Sequence, residues 1–129
     1  VDLREETHGL FNGKAVSWYG ERDWGNVGKS RQEVLQDEAR RMQEARGKSL
    51  LLSELDDEKM PANPRMEKIN EAMSEQQLVE SAGWHYFRLT DTDHVWPAAE
   101  NIEAFIDFVR HLPQDAWIHV HCEAGNGRT

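Results

Sequence analysis

Apolar residues recur along the chain in short bursts whose spacing switches between the two-residue period of strands and the 3.6-residue period of helices. Ile102, Phe105, Ile106 and Val109 fall at i, i+3, i+4 and i+7, which predicts an amphipathic helix entered near Pro97 and closed by Pro113. Leu35, Ala39 and Met42 keep helical spacing behind a capping box of Ser30 and Glu33, and Gly47 is the expected stop. Ser74 and Gln77 repeat that signature ahead of a shorter helix that carries Leu78 and Val79 and ends at Gly83. Strand-like runs are Ala15 to Tyr19, reached from Leu10-Phe11 through an Asn12-Gly13 turn, then Trp84 to Leu89 and Ala116 to His121. Ser49 to Leu52 reads as a short buried strand, and the first residues read as the middle of another. Residues 56–70, with Pro61 and Pro64, and residues 90–96 read as loops.

Strands alternating with helices at these intervals require crossover connections. They predict an α/β fold with a mostly parallel sheet flanked by helices. Ligands in such sheets bind beyond the carboxyl ends of the strands, and the loops 90–97 and 122–128 both leave strand carboxyl ends. The two are therefore expected to meet over one site.

The chain has 129 residues, enough for at most one domain with a modest core. With 30% charged residues it has a globular rather than a disordered composition, and no apolar run has the length of a membrane span. A net charge of −9 argues against nucleic acid as a partner. It also means that any anion site must create its positive field locally, from backbone N–H groups and a few cations. A single cysteine excludes an intrachain disulfide and leaves two readings, a nucleophile or an inert buried thiol.

That cysteine stands in His121-Cys122-Glu123-Ala124-Gly125-Asn126-Gly127-Arg128-Thr129, directly after an apolar run. Gly125 and Gly127 permit left-handed turns that aim successive N–H groups inward as an anion nest. Arg128 can clasp two phosphate oxygens at once, which a lysine cannot. The same field favours thiolate over thiol. One loop thus supplies a nucleophile, a phosphate cradle and charge stabilisation for in-line transfer.

The string HCEAGNGRT behind AWIHV resembles the signature of protein-tyrosine-phosphatase-like inositol phosphatases, the cysteine phytases of bacteria. DLREETHG, AVSWYGERDW, TDHVWP, ENIEAFIDF and LPQDAW resemble the same family, so the likeness covers nearly the whole chain. It implies a protein-tyrosine-phosphatase-like fold that is incomplete after the phosphate-binding loop, residues 1–129 being a partial cysteine-phosphatase domain. The helix expected after Arg128, later basic residues and an amino-terminal barrel region of the family are not in this sequence. The implied reaction is phosphate removal from inositol polyphosphates through a phosphocysteine, with no metal or other cofactor and with a reduced thiol.

By the same resemblance Cys122 is the nucleophile, while Arg128 and the backbone of Glu123, Ala124, Gly125, Asn126 and Gly127 hold the phosphoryl group. Thr129 offers its hydroxyl to the departing sulfur, and Asp93 is the acid that protonates the leaving oxygen. His94, Lys59 and Asp23 match positions that contact substrate, and His121 joins that set by orienting the cysteine loop. Two departures stand out. Asn126 replaces a small apolar residue, and Glu58 stands where a histidine is expected. A bacterial, exported protein is implied, with any signal outside this sequence.

Three other readings remain open. His119 and His121 alternate on one strand and could ligate a metal with Cys122 and Asp93. The loop could also serve an inactive phosphate-binding module. Finally, the same chemistry serves phosphotyrosine and phosphoinositide substrates.

Overall fold

The computed structural model describes residues 1–129. Strand β1 (Asp2–Arg4) pairs in parallel with β7 (Arg88–Asp91), and His121 bridges to Asp2 on the other side, also in parallel. β1 therefore lies between the strand that leads to the acid loop and the segment that leads to the cysteine loop. A three-stranded antiparallel sheet joins β3 (Lys14–Ser17), β2 (His8–Phe11) and β6 (Ala72–Met73). A separate ribbon pairs β4 (Ser49–Leu55) with β5 (Pro61–Lys68). The α/β class is as expected. Parallel pairing, however, is confined to the part of the molecule under the two loops, and the outer strands are antiparallel.

Local signals are realised where the sequence placed them. Asn12 and Gly13 both take positive φ, 50° and 77°, and turn β2 into β3. Helix α1 (Arg31–Ala45) and helix α2 (Glu75–Ser81) begin at Ser30 and Ser74, each with a complete capping box. Helix α3 (Ala99–Arg110) follows Pro97. Gly9 is needed for close approach, since a Cβ there would lie 2.4 Å from Met42 Cε and 2.6 Å from the Met73 carbonyl.

Several expectations are corrected. Residues 61–68 are a strand rather than loop, because cross-strand hydrogen bonds to β4 form around both prolines. β4 is not buried. Leu50 and Leu52 on one face pack against the apolar core and are half-buried, while the other face is open and Leu51 is 64% exposed. The 84–89 strand starts only at Arg88, and the 116–121 run has a ladder partner only at His121. In α1 the buried face is Val34, Glu38, Met42 and Ala45, one residue away from the Leu35-Ala39 stripe. An apolar template missed it because one of its members is a carboxylate. α3 turns Phe105 and Phe108 inward, Phe108 stacking on Phe87 at 4.2 Å, while Ile102, Ile106 and Val109 remain 38%, 43% and 41% exposed.

The core is split. One apolar cluster gathers Phe11, Met42, Ala45, Ile69 and Ala72, and a second gathers Leu3, Leu89 and Cys122. Between them lies a buried charged layer of Asp2, Glu6, His8, Glu38 and Arg88, every one at most 5% exposed. Arg88 meets Asp2 at 3.2 Å and Glu38 at 3.4 Å, and donates to the backbone carbonyls of Arg4 and Glu6. Such a layer is tolerated only because its charges are matched and hydrogen-bonded.

Candidate active site

The cysteine loop wraps around its own sulfur. Cys122 Sγ accepts from the Gly125 N–H at 3.2 Å and from the Thr129 hydroxyl at 3.5 Å. Burial in the Leu3–Leu89 cluster pushes the thiol pKa up. The Thr129 hydroxyl and the backbone N–H groups of Arg128, Gly127 and Gly125 outweigh it and bring the value down to about 6. At neutral pH the sulfur is therefore mainly thiolate, the form that attacks electrophiles. The two glycines differ in their reasons. Gly125 has φ +73°, as the nest requires, whereas Gly127 and Asn126 do not enter the left-handed region. Gly127 is small because a Cβ there would stand 3.3 Å from Asp93 Oδ1.

Arg128 is held from behind. Glu6 accepts from both terminal nitrogens, at 2.6 and 2.9 Å, and the Asp91 carbonyl accepts from one of them at 3.2 Å. Its Nε is buried without an acceptor and lies 3.6 Å from Asp93 Oδ1. A fixed guanidinium with one free N–H beside a thiolate is a ready anchor for a phosphoryl oxygen.

Asp93 reaches the same place from the loop after β7. Its side chain accepts from His94 N–H at 3.0 Å, and His94 takes φ +63° to make that turn. Cys122 and Arg128 share the walls of a cavity of about 920 Å³ with Asp93, His94, Lys59 and Asp23, together with Glu123, Ala124, Asn126 and Gly127. Lys59 comes from the tip of the β4–β5 ribbon and Asp23 from a 3-10 turn, Glu21–Asn26. Arg22, Tyr19 and Glu58 line the cavity as well. Asp23 is raised above its usual range by burial and by Glu6, Glu123 and Asp93, against the pull of Arg128. That shift eases its conflict with an anionic ligand.

His121 is the exception, since it is not on the cavity wall and so corrects the expectation of direct substrate contact. Its Nδ1 meets the Cys122 carbonyl at 3.2 Å, in keeping with a role in orienting the cysteine loop. Its Nε2 meets Glu75 at 2.9 Å, and Glu75 also meets His8 at 3.0 Å. Nor do His119, His121, Cys122 and Asp93 come together as metal ligands. The atoms that could ligate a metal converge at Asp2, Glu75 and His121 instead. There the carboxylates already face His8 and Arg88.

The sequence reading also missed the segment that ties these loops together. Glu5 accepts from Thr92 at the start of the acid loop, at 2.7 Å, and Glu6 holds Arg128. Thr7 and the Glu5 carbonyl accept from Asn26 of the 3-10 turn, at 2.9 and 3.0 Å. Arg128 and Arg4 hold Glu6 ionised down to a pKa of about 2, in spite of its burial. Two adjacent acids between β1 and β2 were the available signal, since buried carboxylates need assigned partners.

Comparison with known proteins fits this arrangement. The profile of the PTP-like phytase family, described as "Inositol hexakisphosphate", matches residues 1–129. The chain belongs to that family. It is similar to the tandemly repeated protein tyrosine phosphatase-like phytase of Mitsuokella multacida, with 60% identity and a TM-score of 0.92 over 96% of this chain. A PTP-like myo-inositol phosphatase from the same organism, solved with myo-inositol-(1,3,4,5)-tetrakisphosphate, matches equally well. The PTP-like phytase of Bdellovibrio bacteriovorus is 37% identical over 96% of this chain, with a TM-score of 0.76. Among curated proteins, effector protein hopD2 of Pseudomonas syringae pv. tomato is 35% identical over the whole chain. The chain spans 29% of hopD2, 21% of each Mitsuokella chain and 42% of the Bdellovibrio chain. No helix is long and apolar enough to cross a membrane.

The buried charges give this PTP-like phytase chain a pH-dependent stability whose sign can be worked out. Burial pulls the His8 pKa down, but Asp2 and Glu75 overcome it and raise the value to about 9. Both ring nitrogens face acceptors, Nδ1 the Glu6 carbonyl at 2.9 Å and Nε2 the two carboxylates, which is the pattern of an imidazolium. A raised folded pKa stabilises fully below the unfolded value of 6.5 and is lost as pH rises to about 9. Cys122, lowered from 9 to about 6, acts in the opposite sense across the same window. The His8 contribution is therefore best read in Cys122→Ser. Urea unfolding of that variant is expected to lose on the order of 3 kcal/mol between pH 6.5 and 9, at about 1.4 kcal/mol per unit. A flat or rising profile would contradict the imidazolium.

Proposed function

We propose that the chain provides the reaction centre of a phosphomonoester hydrolase that removes phosphate from inositol polyphosphates. The observation that carries this reading is the thiolate-favouring loop at Cys122, set beside the unpartnered Nε of Arg128 in a wide cavity. In the first step the Cys122 sulfur attacks phosphorus and an S–P bond forms as the P–O bond to the inositol breaks. The Asp93 carboxyl gives its proton to the departing oxygen. In the second, water attacks the phosphocysteine and yields its proton to the Asp93 carboxylate. Sulfur leaves as a thiolate that Thr129 and the loop N–H groups receive. Arg128 and those N–H groups bear the charge on the equatorial oxygens throughout.

The lining of the cavity supports the substrate class. It includes Arg22, Lys59 and His94 besides the cysteine loop, partners for the further phosphates of a polyphosphorylated ring and not for a phosphotyrosine ring. The likeness to an enzyme solved with an inositol tetrakisphosphate supports the same reading. Export from a bacterial cell belongs to this proposal as well.

Phosphate release and product analysis with inositol hexakisphosphate and a phosphotyrosine peptide test it. Two further charge-assisted contacts of roughly 1.5 kcal/mol each correspond to about a hundredfold higher kcat/KM for the inositol phosphate. A preference for the peptide would overturn the substrate class. Tight binding of phosphate without turnover of either compound would indicate a binding module instead.

A further inference from the structure

Trp24 stands outside the cavity wall, yet it touches the acid loop. Its indole N–H donates to the backbone carbonyl of Asp93 at 2.9 Å. The other end of its turn is fixed. Asn26 is buried and bonded to Glu5 and Thr7, and the Val27 N–H donates to the Trp24 carbonyl at 3.2 Å. Arg22 covers the indole ring, its guanidinium carbon 5.1 Å from the ring centre. Arg22 and Asp23 accept left-handed backbone at φ 58° and 60°, which is costly for residues with a side chain. The strained turn presents the indole N–H to the loop, while the ring itself stays 38% exposed.

We infer that Trp24 is a positioning residue: it tethers the acid loop through the Asp93 carbonyl and so holds the Asp93 carboxyl over the cysteine loop. The inference rests on the assignment of Asp93 as the acid. Asp93 side-chain contacts alone are too few to fix it. Its own loop supplies the His94 N–H and, at 3.6 Å, the exposed His94 ring, and across the cavity it meets only Arg128 Nε, also at 3.6 Å. The tether acts on the main chain of the residue that carries the proton, so it should matter only when that proton matters. Poor alkoxide leaving groups need it, and a nitrophenolate does not.

The test is Trp24→Phe in the full-length protein, assayed on inositol hexakisphosphate and on p-nitrophenyl phosphate, alone and combined with Asp93→Asn. Turnover of the inositol phosphate is expected to fall about fivefold, equivalent to about 1 kcal/mol at 1.36 kcal/mol per tenfold. Nitrophenyl phosphate turnover should fall less than twofold. In the Asp93→Asn background the tryptophan change should add nothing, because the acid it positions is gone. Equal losses on both substrates, or additive effects in the double variant, would overturn the inference. Should Trp24→Phe fail to give native circular dichroism, Trp24→Tyr removes the same N–H with a polar ring and answers the same question. If Asp93→Asn alone discriminates neither substrate, the acid assignment itself fails, and that outcome is distinct from a failure of the tether.

Discussion

Cys122→Ser is expected to abolish measurable phosphate release from inositol hexakisphosphate, a loss of about four orders of magnitude or more, as for other nucleophile deletions. A serine hydroxyl in the same loop would be hydrogen-bonded by Gly125 and Thr129 but would stay protonated at any working pH. The thiol does not, since the loop brings its pKa to about 6. The two side chains are close in size, so cradle and cavity should survive, and the variant should still bind inorganic phosphate. A second measurement separates thiolate formation from catalysis. Alkylation of Cys122 by iodoacetate should rise with pH to a plateau with its midpoint near 6, not near the 9 of an ordinary thiol. Phosphate should protect against it. Full hydrolysis by the serine variant would remove the phosphocysteine from the mechanism, and a midpoint near 9 would remove the loop's effect on the sulfur.

Much of this site was legible in the sequence, because the loop residues act through properties that a sequence displays. Cysteine, two glycines and arginine within one loop have few other reasons to occur together behind an apolar run. Capping boxes at Ser30 and Ser74 and the Asn12-Gly13 turn are likewise local and were readable. What escaped was long-range and polar. Glu6 meets Arg128 across 122 residues, and Thr92 meets Glu5 across 87. No periodicity marks a carboxylate as buried, and Glu38 accordingly shifted the expected face of α1 by one residue. His121 was legible as a residue that orients the cysteine loop, and its Nδ1 meets the Cys122 carbonyl at 3.2 Å; its second partner, Glu75, was not.

The Glu5-Glu6-Thr7 segment also accounts for how an acidic chain holds a phosphate loop. Glu6 neutralises the rear of Arg128 while leaving Nε free, so the guanidinium is fixed without being consumed. The same three residues fix the acid loop through Thr92 and the tryptophan turn through Asn26. Three loops far apart in sequence thereby share one rigid reference. Negative charge serves here as scaffold behind the site, while the positive field in front comes from backbone N–H groups and a few cations.

Asp93→Asn tests the second half of the mechanism and should have the next largest effect. An amide is nearly the same shape as the acid and can still bond to His94 N–H, but it has no proton to give. Turnover of inositol hexakisphosphate is expected to fall by about 10²- to 10⁴-fold, the usual worth of a positioned general acid. KM should change little, because Arg128, Lys59 and the loop amides are untouched. p-Nitrophenyl phosphate should lose less than about tenfold, since its phenolate departs without a proton. The acidic limb of the pH profile, set by Cys122 near 6, should be unchanged in the asparagine variant. Equal losses on both substrates would move the acid elsewhere on the cavity wall. Asp23, pushed up by burial and by its acidic neighbours, would then be the next carboxyl to test.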